Sequence, residues 1–161
     1  MTPAHALAAE VLDRARARGV MIALAESCTG GLVSAALTEI AGSSAVVDRG
    51  FVTYTNEAKQ DLLGVSPATL ERFGAVSFQT AREMAQGALA RSQAGVAVSI
   101  TGIAGPGGGS ADKPVGLVWF ALAQEDRETR TVERRFGEVG RAKVRALSVE
   151  TALTLLRDAL S

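Results

Sequence analysis

Apolar and polar positions along the 161-residue chain follow two different periods. Short apolar runs are typical of buried strands, and apolar residues repeated every three or four positions are typical of helices packed on one side. The pattern predicts strands at 20–25, 46–54 (interrupted by the charged pair 48–49), 95–101, 114–123 and 129–136. It predicts helices at 3–18, 32–40, 56–63, 77–93 and 140–160, with another beginning at residue 66.

Capping residues set several of these boundaries. Thr2 and Pro3 suit the start of the first helix, and Gly19 suits its end. We expect Gly42 to end the second helix and Asn56 to cap the third. The last predicted strand alternates charged and β-branched residues as an edge strand does, and it should pair antiparallel with its predecessor. Strands alternating with helices predict an α/β fold, a three-layer α/β/α sandwich with a mixed, mainly parallel sheet, in one domain covering residues 1–161.

Two glycine-rich turns follow predicted strands. Residues 25–31 read Ala-Glu-Ser-Cys-Thr-Gly-Gly, and residues 102–110 contain five glycines and a proline. Ligands in open α/β sheets gather at the carboxyl ends of strands, so both turns are expected at one cleft. Free N–H groups where a helix begins would stabilise an anion there. The second turn matches neither the dinucleotide nor the Walker spacing, and a flexible connection is its alternative interpretation.

Composition narrows the function classes. The 17 basic and 17 acidic side chains cancel, which disfavours nonspecific binding to nucleic acid. The chain has neither an apolar run of the ~18 residues that span a bilayer nor a signal peptide, so we expect a cytoplasmic protein without a membrane partner. Cys28 is the single cysteine and His5 the single histidine. These counts disfavour a Cys/His zinc site and leave only a carboxylate site for magnesium open.

Residue types suggest a nucleophile and a base. Ser27 and Cys28 are the nucleophile candidates in the first turn, and His5 lies in the N-terminal helix, where it is a poor base for either. Burial lowers the pKa of a lysine, so that a neutral amine accepts a hydroxyl proton. Of the three lysines, Lys59 alone lies near a strand end among hydroxyl-bearing residues, which include Tyr54.

Each of these residues also has a purely structural interpretation. Ser27 and Thr29 suit helix capping, and Cys28 suits a small buried apolar position. Tyr54 and Lys59 suit a solvated strand end and helix surface. Arg141, at the start of the last helix, is by default a surface cation. Residue chemistry therefore indicates a site without naming its reaction.

Six ordered sequence blocks, taken together, resemble the C-terminal domain of the competence/damage-inducible protein CinA. The similarity covers residues 25–136 at least, and stand-alone members of this family are nicotinamide-nucleotide amidases. Some members carry a further N-terminal domain; about 24 residues precede Ala25 here, so we expect none. The blocks are residues 25–31, 40–44, 49–54, 56–59, 74–77 and 101–108.

The resemblance implies hydrolysis of the carboxamide of nicotinamide mononucleotide to nicotinic acid mononucleotide and ammonia, in pyridine-nucleotide salvage. It implies a serine/lysine amidase that needs no metal or organic cofactor. Carried onto matching positions, Ser27 is the nucleophile, Lys59 the general base, and Tyr54 a hydroxyl that relays or orients the proton. The family also suggests a homo-oligomer. Two alternatives stay open: a non-catalytic nucleotide-binding regulatory module, and an amidase acting on another substrate.

Substrate contacts are expected around the same cleft. Backbone N–H groups near Thr29, Gly30 and Gly31 are the candidates for the oxyanion hole, and Thr101, Gly102 and the glycine loop that follows them are expected to receive the nucleotide. Arg141 is the expected phosphate partner because guanidinium matches phosphate geometry. The predicted substrate-binding residues are Thr29, Gly30, Gly31, Asn56, Thr101, Gly102, Gly105 and Arg141.

Overall fold

The computed structural model describes residues 2–161. The helices are α1 (Pro3–Arg18), α2 (Leu32–Thr38), α3 (Asn56–Leu63), α4 (Pro67–Phe73), α5 (Phe78–Ala90) and α6 (Arg141–Ala159), with a short 3-10 helix at Ser43–Ala45. The strands are β1 (Ile22–Glu26), β2 (Val47–Val52), β3 (Val96–Gly102), β4 (Leu117–Gln124) and β5 (Arg130–Arg135). Within residues 2–161, no helix combines the length and the apolar character needed to cross a membrane.

The five strands form one mixed sheet in the order β2-β1-β3-β4-β5. β1 pairs parallel with β2 and β3, whereas β4 pairs antiparallel with β3 and β5. Four strands therefore run in one direction and β4 opposes them. The edge position of β5 and its antiparallel pairing confirm the sequence prediction. Helices α1, α2 and α6 cover one face, and α3, α4 and α5 cover the other, which confirms the α/β/α sandwich.

Large and small side chains alternate along the central strands. In β1, Ile22 and Leu24 point to the face covered by α1, α2 and α6, while Ala23 and Ala25 point to the opposite face. β3 and β4 repeat this alternation. Because successive side chains of a strand point to opposite faces, the alanines let α5 pack close to the sheet.

The direction of the chain changes between β1 and β3. β1 connects through α2 to β2 on one side, and β3 lies on the other side of β1. Loops that leave two adjacent parallel strands in opposite directions leave a crevice between them, and this is where ligands bind in such sheets. The two glycine-rich turns follow β1 and β3, so both lie at this crevice.

Three sequence predictions differ from the structure in detail. Gly42 does not end α2, which ends at Thr38; at φ 87° it instead precedes the 3-10 helix. The expected interruption of the second strand is a bulge, because the register with β1 skips Asp48 while the strand continues. Thr55, not Asn56, caps α3, since its hydroxyl accepts the N–H of Ala58 at 3.1 Å. A β-branched hydroxyl residue before Asn56 supplies the same chemistry one position earlier.

Gly87, in the middle of α5, allows close contact with the end of α3. A Cβ there would lie 2.0 Å from the carbonyl oxygen of Leu63. An exposed helical glycine gains about 1 kcal/mol when replaced by alanine, but here overpacking reverses the sign. We expect Gly87→Ala to lower the free energy of unfolding by about 1–3 kcal/mol, measured by urea denaturation.

Gly107→Ala is the control for this prediction. A Cβ at Gly107 would have no neighbour within 4 Å, and its φ is not positive. Its free energy of unfolding should change by less than about 0.5 kcal/mol. A Gly87→Ala protein as stable as the native chain would contradict the packing argument.

Candidate active site

A cavity of about 270 Å³ opens at the crevice between β1 and β3. The turn after β1, the loop after β2, the loop after β3 and the first turn of α6 all contribute to its wall. Residues 75–76, between α4 and α5, complete it. Seven of the predicted site residues line this cavity: Ser27, Tyr54, Lys59, Thr101, Gly102, Gly105 and Arg141.

Ser27 and Lys59 are in direct contact although 32 positions separate them in sequence. The Nζ atom of Lys59 lies 3.0 Å from the hydroxyl oxygen of Ser27, 2.9 Å from the carbonyl oxygen of Thr53 and 3.1 Å from that of Tyr54. Both carbonyls accept, so they occupy two N–H donors of the amine. A neutral lysine has two N–H groups and one lone pair, and this arrangement leaves the lone pair for the Ser27 hydroxyl.

Burial makes the Lys59 amine more often neutral at pH 7, and therefore able to accept a proton. Lys59 is 1% exposed, and desolvation lowers its pKa from 10.5 to about 8. The sequence alternative of a solvated helix lysine is therefore wrong. At pH 7 roughly one lysine in eleven is neutral at such a pKa, against about one in three thousand at 10.5.

Tyr54 contacts Lys59 through its backbone and not through its ring. Its carbonyl oxygen accepts from Nζ, whereas its hydroxyl contacts Nη2 of Arg141 at 3.2 Å. The side chain is 60% exposed at the cavity rim. The hydroxyl is thus placed beside the expected phosphate partner, and within residues 2–161 no recorded hydrogen bond joins it to the Lys59 amine, so the expected proton-relay role has no direct contact behind it.

The carboxylate of Glu26 binds the backbone N–H groups at the start of α2. The residue is fully buried at the end of β1, and both carboxylate oxygens accept hydrogen bonds of 2.6–3.2 Å. The donors are the hydroxyl of Thr29, the backbone N–H groups of Gly31, Val33 and Ser34, and the hydroxyl of Ser34. The expectation that this helix start presents free N–H groups to a ligand is wrong, because Glu26 already binds them.

The backbone of the first turn corrects the expected oxyanion hole. The N–H of Gly30 donates to the carbonyl of Ser27 at 3.0 Å, and that of Gly31 donates to Glu26. Neither is free for a substrate. Thr29 is fully buried, and neither Thr29 nor the exposed Asn56 lines the cavity. The structure therefore does not bring these four predicted residues to the cavity wall.

Cys28 contributes a free backbone donor to the cavity wall. Its N–H makes no recorded hydrogen bond to another residue within residues 2–161, and the only acceptor beside it is the thiol of Cys28 itself. Burial raises the pKa of its thiol to about 11, so the thiol stays protonated at neutral pH and Ser27 is the better nucleophile. No cluster of three His, Cys, Asp or Glu side chains in the described part of the chain is placed to hold a metal ion.

Two arginines at the start of α6 hold the loops around the cavity. Arg141 donates to the carbonyl of Gly105 at 2.9 Å as well as to Tyr54. Arg145 donates to the carbonyls of Cys28 and Thr29 at 3.1 and 3.3 Å. The Thr101 hydroxyl is itself used internally, since it donates to the carbonyl of Ala75 at 2.8 Å.

The sequence analysis did not predict that Glu26 and Arg145 bind the backbone of the turn after β1. A signal for each is visible in the printed chain. Glu26 is the charged residue that ends the apolar run 20–25 and directly precedes a predicted turn and helix. Arg145 follows Arg141 by four positions, a spacing that puts both side chains on one face of a helix.

Comparison with known proteins places this geometry in a family. The sequence profile of the CinA C-terminal domain matches residues 4–160. A nicotinamide-nucleotide amidohydrolase PncC from Enterobacter agglomerans is 53% identical over 152 residues, which are 92% of this chain and 93% of that protein. A crystal structure of the competence/damage inducible protein CihA from Agrobacterium tumefaciens superposes with a TM-score of 0.96 at 56% identity, covering 99% of this chain and 96% of the other.

Longer proteins contain the same unit. A putative competence-damage inducible protein from Caldicellulosiruptor bescii is 52% identical over 136 residues, which are 84% of this chain but only 33% of that protein. The matched profile, the shared fold and the high identity lead to one conclusion. The chain belongs to the CinA C-terminal domain family.

Proposed function

We propose that this protein hydrolyses the carboxamide of nicotinamide mononucleotide, giving nicotinic acid mononucleotide and ammonia. The observation that carries the proposal is the 3.0 Å contact between the hydroxyl of Ser27 and the buried amine of Lys59 at the wall of a cavity. A hydroxyl beside a neutral amine is one arrangement that activates a serine for acyl transfer without histidine. The names of the amidohydrolase relatives support the carboxamide of a nicotinamide nucleotide as substrate.

In the proposed acylation step, the Ser27 oxygen attacks the carboxamide carbon while Lys59 accepts the hydroxyl proton. The electron pair of the C=O bond moves to the oxygen and forms a tetrahedral oxyanion. Collapse of this intermediate breaks the C–N bond, and the ammonium proton of Lys59 passes to the leaving nitrogen, which departs as ammonia. The carbonyls of Thr53 and Tyr54 hold Lys59 in place throughout, since they bind it in both protonation states.

In the proposed deacylation step, water attacks the ester carbonyl of the acyl-enzyme. Lys59, neutral again once ammonia has left, accepts a proton from that water and returns it to the Ser27 oxygen as the C–O ester bond breaks. The acid product and free Ser27 result. One buried amine thus mediates the proton transfers of both half-reactions: it takes a proton from Ser27 and gives it to the leaving nitrogen, then takes one from water and returns it to Ser27.

The proposed phosphate site is the cavity rim at Arg141. This guanidinium is exposed, and its two hydrogen bonds to Gly105 and Tyr54 use two of its five N–H donors. The remaining donors are available to a phosphate oxygen. The backbone N–H groups of Ala104 and Gly105, for which residues 2–161 provide no recorded acceptor, lie in the same loop.

Ser27→Ala tests the proposal directly. Because the mechanism needs the attacking hydroxyl, ammonia release from nicotinamide mononucleotide should fall by at least roughly 10⁴-fold. The melting temperature serves as the control and should stay close to that of the native protein. If the native protein bound the nucleotide without releasing ammonia, a regulatory binding module would be the better interpretation than an enzyme. If Ser27→Ala were fully active, Ser27 would not be the nucleophile.

The pH dependence of the rate tests Lys59. The base acts only when neutral, and its pKa is about 8, so kcat/KM should rise about tenfold per pH unit below pH 7 and level off above pH 8 to 9. Lys59→Arg should be inactive at every pH because arginine stays protonated. A flat profile between pH 6 and 9, or an active Lys59→Arg, would exclude Lys59 as the base.

Arg141→Ala tests the phosphate contact. Loss of a charge-assisted pair should raise KM for nicotinamide mononucleotide roughly 10- to 100-fold and leave KM for the phosphate-free nicotinamide riboside nearly unchanged. Lys143→Ala, an exposed cation on the same helix, is the matched control and should alter neither. Equal effects of Arg141→Ala on the nucleotide and the riboside would argue against a phosphate contact.

A further inference from the structure

The turn that carries Ser27 is held from two sides. Glu26 binds the hydroxyl of Thr29 and the N–H of Gly31, and the partly buried Arg145 binds the carbonyls of Cys28 and Thr29. A negative group thus binds two donors of the turn, and a positive group binds two of its acceptors. Such a turn has little freedom to rotate its peptide units.

The peptide unit between Ser27 and Cys28 is fixed at its carbonyl end, which accepts the N–H of Gly30 at 3.0 Å. A trans peptide is planar, and its N–H points opposite to its C=O. The N–H of Cys28 therefore points away from Gly30. Cys28 lines the cavity, and this N–H has no recorded acceptor in any other residue of the range 2–161; only the Cys28 thiol, a weak acceptor, lies beside it.

The following peptide unit, between Cys28 and Thr29, is fixed by Arg145. Its carbonyl accepts from Nε of Arg145 at 3.1 Å, and the next carbonyl accepts from Nη2 at 3.3 Å. Two donors of one planar guanidinium restrain two successive peptide units together. Without them, the Cys28–Thr29 peptide could rotate, and the orientation of the Cys28 N–H would depend on the single hydrogen bond from Gly30 to Ser27.

We infer that Arg145 is a positioning residue for the proposed reaction, holding the turn so that the backbone N–H of Cys28 donates to the oxyanion formed when Ser27 attacks. This inference rests on the proposed amidase function. The donor belongs to the residue directly after the nucleophile, a position that also supplies an oxyanion donor in α/β-hydrolases. Arg145 itself contacts no substrate and acts through the backbone it binds.

The inference predicts a specific kinetic effect for Arg145→Met, which keeps an apolar stem and removes every donor. Removal of an oxyanion donor costs about 10²–10³ in kcat, and misplacing one should cost roughly 10- to 100-fold. KM for nicotinamide mononucleotide and the Kd of nicotinic acid mononucleotide should stay within about twofold, because the ground state does not use this donor.

An aldehyde analogue separates positioning from a merely structural effect. The Ser27 hydroxyl would add to the aldehyde of 3-formylpyridine mononucleotide and form a hemiacetal. The former carbonyl oxygen of this hemiacetal would occupy the oxyanion site. In Arg145→Met, the affinity for the aldehyde analogue should fall by the same factor as kcat/KM. A general loss of folding would instead lower the affinity for the product, nicotinic acid mononucleotide, by as much as the affinity for the aldehyde. Lys143→Met, exposed on the same helix, is the matched control and should change none of these constants.

Arg145→Lys keeps the charge but offers its N–H donors from a single nitrogen in place of the planar guanidinium, so it guards against a variant that fails to fold. With a melting temperature close to the native one, it should lose at least about fivefold in kcat, with a matching loss in aldehyde affinity. The inference would be overturned if either variant had the kcat of the native protein, or if KM rose while kcat stayed constant. In that case, ammonia release by the native protein would still support the proposed function. A native protein that releases no ammonia would overturn both.

Discussion

The contact between the buried amine of Lys59 and the hydroxyl of Ser27 is the interaction on which the rest of this site depends. Removing a lysine from water disfavours its charged form, and this lowers its pKa to about 8. Below that pH the buried amine opposes folding, and the penalty decreases as the pH rises from 8 toward 10.5. The fold keeps this residue because two backbone carbonyls, of Thr53 and Tyr54, satisfy its donors.

Two charged side chains, one buried and one partly buried, hold the turn around Ser27, and each binds a different kind of backbone group. Glu26 binds the free N–H groups at the start of α2, which a shorter or apolar residue would leave unpaired at a cost of about 1–3 kcal/mol each. Arg145 binds the carbonyls on the other side of the turn. The sheet supplies the third restraint, since the N–H of Ser27 donates to the carbonyl of Ile100 in the neighbouring strand. Ser27 therefore stands on a rigid element.

The order of the strands explains why distant segments meet here. β1 and β3 are adjacent and parallel but continue in different directions, so the loops that follow them open a cavity. The alanines facing α5 bring that helix close to the sheet, and Gly87 lets α3, which carries Lys59, pack against α5. Small residues far from the cavity thus help to determine how deeply Lys59 is buried.

The sequence by itself determined the strands, the helices and the layers, because hydrophobic periodicity and capping are local properties of the chain. Residue chemistry left Ser27 and Cys28 as nucleophile candidates and favoured Lys59 as the base, because the chain offers few alternatives; the family resemblance is what implied Ser27. Only the tertiary structure decided which backbone groups are free: it paired Gly30 and Gly31, left Cys28 N–H open, and turned the Tyr54 hydroxyl toward Arg141. Arg145 reaches the turn from the distant helix α6, and Glu26 meets its donors only once its side chain is buried. A local sequence pattern does not contain either kind of contact.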